Sequence, residues 1–171
     1  QAGVVVVPSP SPSPAPPSTA VGTVTTVAGV PWFPGFIDDV GTNAEFNEPT
    51  VTLLSNDGNT LYVAEDLNGD NIRSINLATQ EVERWAGGTT GFANGDRLAE
   101  ARFSNIRDMV WSRDGQVMYV IDSSNHRLRT IDMATGIVAT MVSGSSVTRT
   151  DGTYPETALL KNPIRLALHP T

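Results

Sequence analysis

From Val51 onward, the chain alternates short runs of β-branched and aromatic residues with turns rich in Asn, Asp and Gly. These runs are too short for helices and have the composition of strands. Asp57-Gly58 and Asp114-Gly115 each follow one run and precede the next, which predicts tight hairpins. The predicted strands are VTLLS, LYVAE, NIRSIN, EVERWAG, MVWS, MYVID, RLRTID and IVATMVSG.

The strands form two sets of four, because the second half of the pattern repeats the first. Phe46 aligns with Phe103, and Tyr62 with Tyr119, at a spacing of 57 positions. A third copy begins with ALLKNPIRLALHPT and ends before its second strand. Four antiparallel strands repeated in this way predict an all-β fold, a β-propeller built from four-stranded blades.

Several motifs resemble those of the NHL-repeat propellers: V-x-T-x-A-G at 24–29, the loop with Gly95-Asp96, and MYVIDSSNHRLRTID. The resemblance covers residues 21–171, with repeats of about 21–82 and 83–144 and an incomplete one at 145–171. The first copy departs from the pattern, because Glu65 stands in place of Asp122 and LNGDN in place of SSNH.

About two and a half repeats are present, whereas propellers close with about four to eight blades. We therefore interpret the chain as a fragment of a longer propeller. Closure by several copies of the chain is the alternative.

Charge and composition narrow the function. The net charge is −7, and eleven basic residues are scattered singly, so no nucleic-acid partner is expected. No apolar run approaches the length of a membrane span. The chain has no cysteine, which removes thiol chemistry and cysteine-bound zinc.

Two groups of residues are candidates for metal or acid–base chemistry. Asp66, Asn68 and Asp70 alternate as in the start of a calcium loop, but a full EF-hand pattern is missing and an ordinary turn explains them better. His126 and His169 lack a recognisable partner set. We predict no catalytic residue, no cofactor and no metal.

Asp122, Asn125, Arg127 and Arg129 cluster in the best-matching motif. A structural role explains them better: Asp and Asn satisfy backbone groups of the turn, and the arginine pairs with an adjacent blade.

Tryptophans and an apolar run are candidates for contacts. Trp85 and Trp111 lie in predicted strands, so packing is expected, whereas Trp32 in VPWFPGF is the preferred contact residue. The run Val4, Val5, Val6, Val7 is uncharged and β-branched, and is expected to pair with an exposed strand edge.

The N-terminal region, residues 1–20, contains a tract in which serine and proline alternate. Its proline rings predict an extended polyproline II segment over 8–17. Its composition resembles that of hydroxyproline-rich extracellular glycoproteins of green algae and plants, which implies O-glycosylation. The candidate positions are Pro8, Ser9, Pro10, Ser11, Pro12, Ser13, Pro14, Pro16, Pro17 and Ser18.

These observations predict a non-enzymatic, extracellular structural glycoprotein, in which a propeller is carried on a stiff glycosylated rod and assembles into a matrix, wall or fibre. The expected partners are proteins, including copies of the chain, and O-linked glycans. The chain begins at Gln1, which we take as processing or truncation. Two alternatives stay open: an enzyme resembling the peptidyl-hydroxyglycine amidating lyases, and a ligand-binding or sensor propeller.

Overall fold

The computed structural model describes residues 24–66, 70–144, 151–152 and 158–169. Within these ranges the chain forms strands, turns and one 3-10 turn at Gly41–Asn43. The strands are β1 Pro49–Leu54, β2 Thr60–Glu65, β3 Asn71–Asn76, β4 Val82–Gly87, β5 Gly95–Asp96, β6 Ile106–Trp111, β7 Val117–Asp122, β8 Arg127–Asp132 and β9 Ile137–Val142. The predicted all-β class is confirmed.

Two antiparallel sheets contain these strands. The first sheet has the order β1-β2-β3-β4, and the second has the order β5-β9-β8-β7-β6. Both sheets carry a bulge in the first strand pair and another next to the third strand, at Ile72/Arg73 and at Leu128/Arg129. The sheets are therefore equivalent units. The predicted boundary between the first two repeats, at residue 82, lies at the first residue of β4.

The hairpins between the first two strands of each sheet form as predicted. Asp57 accepts hydrogen bonds from the hydroxyl of Ser55 (2.5 Å) and the backbone N–H of Asn59 (3.1 Å). Asp114 has the corresponding bond with Ser112 at 2.6 Å. The serine hydroxyls and backbone N–H groups lower the pKa of Asp57 and Asp114, so both turns favour the ionised carboxylate.

The main core lies between the two sheets. Tyr62 makes edge contacts with Trp85 of its own sheet (centroids 4.8 Å apart) and with Trp111 of the second sheet (5.7 Å). The indole N–H of Trp111 donates to the carbonyl of Leu54 at 2.7 Å, so the expected packing role of both tryptophans is confirmed. The buried members of this core are Tyr62, Ala64, Ile72, Ala86, Ala101, Phe103, Ile106, Met109, Met118, Val120, Ile131 and Val138.

Phe46 and Phe103 occupy equivalent positions, but only Phe103 has a described sheet in front of it. Phe103 is fully buried in the main core. Phe46 is half-buried on the outer face of the first sheet, beside the partly buried Leu61 and the buried Val63 and Ile75. We call this surface the first open face. Tyr62 and Tyr119 differ in the same way, since Tyr119 is half-buried on the surface next to Thr130 and Met141. That surface is the second open face.

Residues 158–169 continue the repeat beside β6. The backbone N–H of Leu166 donates to Asp108 at 2.8 Å, and Arg113 donates to the carbonyl of His169 at 3.1 Å. The segment therefore lies where the first strand of a third sheet belongs, as the third sequence copy predicts.

Part of the N-terminal interpretation lies outside the described residues, namely the run Val4–Val7 and the Ser-Pro tract. In the part of the chain that the structure describes, no helix has the length and apolar character needed to cross a membrane.

We predict that Phe103→Ala destabilises the chain much more than Phe46→Ala. Truncating the buried ring removes packing on two sheets and should cost roughly 3–5 kcal/mol, whereas the ring of Phe46 is only half-buried and its loss should cost less than half of that. Urea denaturation of both variants measures the difference. Equal losses would contradict the unequal covering of these two equivalent positions.

Candidate functional site

The motif that looks most chemical surrounds the buried guanidinium of Arg129. This group donates to the carboxylate of Asp122 at 2.7 Å and to the carbonyls of Arg102 (3.1 Å) and Ala93 (2.6 Å). It also donates to the side-chain oxygen of Asn94 at 2.9 Å. Arg129 therefore ties the second sheet to the segment that precedes it.

Arg73 repeats this arrangement in the first sheet. It lies 3.3 Å from Glu65 and 2.6 Å from Asp38, and it donates to the carbonyls of Glu45 (3.1 Å) and Ile37 (2.9 Å). The longer Glu65 thus does the work of Asp122, so the departure from the sequence pattern preserves the ion pair.

An aromatic ring lies against each guanidinium. The guanidinium carbon of Arg73 is 5.1 Å from the ring centroid of Phe46, and that of Arg129 is 5.1 Å from Phe103. These cation–π contacts recur at equivalent positions, which indicates that the repeated phenylalanine also serves the arginine.

Asp122 is satisfied by several donors at once. Besides Arg129, it accepts from the backbone N–H of Ser104 (2.8 Å) and the side-chain amide of Asn125 (2.8 and 2.9 Å). Burial raises the pKa of Asp122 and of Glu65, while these hydrogen bonds and the arginines act in the opposite direction. A carboxylate so fully occupied has little capacity left for a substrate.

The expected pairing of the arginine with an adjacent blade is wrong for Arg129. Its partners are Asp122 of its own sheet and two backbone carbonyls of the connecting segment 93–102, which precedes that sheet. Arg127 donates to the carbonyl of Asn125 at 2.8 Å and stacks on Phe92, with its guanidinium carbon 3.9 Å from the ring centroid.

His126 and Asp70 form equivalent contacts between successive units. The carboxylate of Asp70 accepts the backbone N–H of Asn105 at 2.7 Å, and Nδ1 of His126 accepts that of Asn162 at 3.2 Å. All four residues have positive φ angles, of 24°, 62°, 58° and 45° respectively. Each acceptor therefore holds a left-handed backbone position at the start of the next unit, and we call these pairs the inter-unit latches.

The calcium candidates are dispersed among other contacts. Asp70 belongs to a latch, Asp66 lies 4.0 Å from Arg107, and Asn68 is outside the described residues. Within the described ranges, no group of three or more His, Asp or Glu side chains is arranged to hold a metal ion. The carbonyl of His169 accepts from Arg113.

The loop at 31–37 presents the other candidate surface. Trp32 is 94% exposed and Phe33 is 65% exposed, and Phe36 and Ile37 follow with 41% and 48%. We call Trp32, Phe33 and Phe36 the aromatic patch. The sequence analysis selected Trp32 and missed Phe33 and Phe36, although all three stand within five positions of PWFPGF.

A scan against models of protein families finds no match. Among curated proteins, the chain is similar to NHL repeat-containing protein 2 of Homo sapiens (28% identity over 108 residues) and of Bos taurus (30% over 108 residues). The matches cover 63% and 61% of this chain, but this chain spans only 15% and 14% of those relatives.

Two solved structures are similar in fold. An auxiliary nutrient binding protein from Bacteroides ovatus has a TM-score of 0.57 at 18% identity, over 73% of this chain and 33% of that chain. A protein of unknown function from Bacteroides thetaiotaomicron has a TM-score of 0.56 at 21% identity, over 66% and 28%. The repeated sheets and these structural likenesses confirm the predicted fold, and the likeness to the NHL repeat-containing proteins supports the predicted NHL-repeat segment.

We predict that Arg129→Met costs roughly 3–5 kcal/mol at about pH 7 and clearly less at about pH 5, because Asp122 is left buried without its cation. Burial raises the folded-state pKa of Asp122 above its ordinary value, and losing Arg129 raises it further. The folded variant therefore binds a proton more tightly than the unfolded chain, so it regains stability as the pH falls.

Urea denaturation at both pH values measures this change. The double variant Arg129→Met, Asp122→Asn is the control, because it has no titrating group at this place and its deficit should not change with pH. Equal deficits of the single variant at both pH values would contradict the prediction.

The latches predict a specific pattern of amide exchange. In His126→Gly, which tolerates the positive φ but removes the acceptor, the N–H of Asn162 should exchange roughly fivefold faster, because one hydrogen bond is lost. The N–H of Asn105, held by Asp70, is the internal control and should not change. His126→Asp, which restores an acceptor, should recover the protection. Equal exchange in all three proteins would show that the latch is not formed in solution.

Proposed function

The described chain is an NHL-repeat segment of a β-propeller, and we propose that it works as a non-enzymatic scaffold in an extracellular structural glycoprotein. In this proposal, the propeller presents contact surfaces and a glycosylated Ser-Pro tract spaces it within a matrix, wall or fibre.

The proposal rests on one observation: the polar side chains that recur in the repeat are already engaged in contacts within the fold. Arg73 and Arg129 are bound to carboxylates and carbonyls, and Asp70 and His126 hold backbone N–H groups. These contacts stabilise the fold, and among the described residues no group of three or more His, Asp or Glu side chains is arranged to hold a metal ion. Several large apolar side chains stay exposed, among them Trp32, Phe33 and Ile164, which suits contacts with other proteins.

The two open faces are suited to packing against sheets of the same kind. One face of the first sheet packs against the second sheet, where Tyr62 contacts Trp111. The equivalent Tyr119 lies on the second open face, and Phe46 lies on the first. The first open face of one unit can therefore pack against the second open face of another, which gives head-to-tail association. The other unit is either a further repeat of a longer chain or a copy of this chain.

Two observations support the extracellular and glycosylated part. The Ser-Pro tract has the composition of an O-glycosylated stalk, and the net charge of −7 with no basic cluster disfavours nucleic acid.

A second candidate is a ligand-binding propeller. The similar structure from Bacteroides ovatus and a further one from Bacteroides thetaiotaomicron, distinct from the protein of unknown function, are auxiliary nutrient binding proteins. In this chain the aromatic patch would then take a small ligand. The lyase alternative has less support, because Nδ1 of His126 is occupied by the N–H of Asn162.

Sedimentation velocity tests the assembly role. We expect the chain to associate as its concentration rises, and Tyr119→Glu to reduce this association because a partner on the second open face would bury the new charge beside Val117 and Met141. Ala78→Glu adds the same charge in an exposed turn without removing a side-chain hydrogen bond, and should have no effect. A chain that stays monomeric, or association that is insensitive to Tyr119→Glu, would contradict the scaffold proposal.

Intact mass measurement of the protein from its native source tests the glycoprotein part. We expect a ladder of pentose or hexose increments that disappears when residues 8–18 are released by proteolysis. A single unmodified mass would overturn this part of the proposal and leave the scaffold role standing.

A further inference from the structure

The aromatic patch has no counterpart in the second repeat. The first connecting loop reads GVPWFPGF, whereas the second reads GGTTGF and is two residues shorter. Gly29 and Gly87 begin these loops with positive φ angles of 96° and 73°, and Phe36 and Phe92 end them. The extra tryptophan and phenylalanine are therefore not needed to build the repeat.

The two loops also differ in how their shared phenylalanine is used. Phe92 is stacked under Arg127 at 3.9 Å. The residue equivalent to Arg127 in the first sheet is Asn71, a short neutral side chain, and Phe36 stays 41% exposed. Three aromatic rings thus face solvent in a loop where the repeat requires one.

The patch is held in place at its base. The carbonyl of Ile37 accepts hydrogen bonds from Arg73 at 2.9 Å and from the N–H of Glu45 at 3.1 Å. The N–H of Gly35 donates to Phe46 at 3.3 Å. Trp32 itself has a φ of 69°, an uncommon conformation for a large side chain. A loop so constrained presents its rings in a fixed arrangement, which lowers the entropy lost on binding.

The absence of charged side chains from the aromatic patch and from the residues before it favours an uncharged partner. Residues 1–37 contain no Asp, Glu, Lys, Arg or His, so the patch and everything before it are uncharged. The Ser-Pro tract contributes six prolines within residues 8–17. Proline rings stack well on aromatic side chains, and a proline-rich segment loses little entropy when it docks.

We propose that the aromatic patch is a docking site for the Ser-Pro tract of this protein, residues 8–17. A polyproline II helix has three residues per turn, so Pro8, Pro14 and Pro17 share one face. The rings of Trp32, Phe33 and Phe36 take the proline rings of that face. Docking supplies a contact for the proposed assembly and rests on the proposed function only in that respect.

The connection between tract and patch permits docking within one chain or between two. Six residues, 18–23, separate Pro17 from the described segment that begins at Val24, and an extended chain of this length spans about 20 Å. The described residues Thr26 to Pro31 line the first open face and lead directly into Trp32.

A fluorophore that tryptophan quenches on contact tests the proposal. The chain has no cysteine, so Ser13→Cys gives a single site for a bimane label in the middle of the tract. The full-length protein is made in a bacterial host, which leaves the prolines unmodified. We expect strong quenching in the labelled protein and its loss in Trp32→Asn, where asparagine tolerates the positive φ.

Two further variants separate docking from simple proximity, because both keep Trp32. Phe33→Ala, Phe36→Ala should lower the docking equilibrium constant roughly tenfold by removing two rings, and should reduce the quenching accordingly. Replacing Pro8, Pro14 and Pro17 by alanine should have a similar effect. Leu98→Ala, at a 41% exposed apolar position outside the patch, is the control and should leave the quenching unchanged.

The outcomes are distinct. Quenching that is absent, or that survives loss of the phenylalanines and prolines, overturns the docking proposal. Quenching that occurs only with glycosylated protein assigns the patch to sugar and also overturns it. Quenching that appears when labelled Trp32→Asn chain is mixed with unlabelled native chain supports docking between copies. Quenching only within one chain supports docking but removes it as an assembly contact, whatever the sedimentation result for the open faces.

Discussion

The buried guanidinium of Arg129, and that of Arg73 in the first sheet, is the interaction on which each unit depends. A buried ion pair alone does not offset the cost of removing both charges from water. Here backbone carbonyls of the connecting segment accept hydrogen bonds from the two terminal nitrogens of each guanidinium and offset much of the cost, although Nε of both arginines is buried without an acceptor. The sheet and the segment before it are therefore stable only when they are assembled together.

Because each unit depends on these contacts, the polar residues that recur in both repeats indicate a structural role and not a catalytic one. Asp122 or Glu65 supplies the charge, the connecting segment supplies the carbonyls, and a phenylalanine covers the guanidinium. Replacement of Asp by Glu changes the side-chain length without changing the arrangement. A surface that differs between the two repeats is more informative about function, and the largest such difference is the aromatic patch.

Packing between sheets sets the second constraint. Each sheet is apolar on both faces, so it needs a neighbour on each side. The tyrosine of the second strand shows the consequence: Tyr62 is only 7% exposed beneath Trp111, while the equivalent Tyr119 lies on an open face. Surfaces of this kind favour association, either with further repeats or with other chains, and they make an isolated pair of sheets an incomplete unit.

The sequence alone determined the strands, their hairpins and the equivalence of the two repeats, because short-range composition and periodicity specify them. It also indicated Trp32 as an exposed contact residue. Only the tertiary structure decided where Arg129 points, that Asp70 and His126 hold equivalent backbone groups, and that Phe36 lacks the cation that covers Phe92. These features join residues 27 to 36 positions apart or depend on the neighbour across a loop, and the chain must fold before such partners meet.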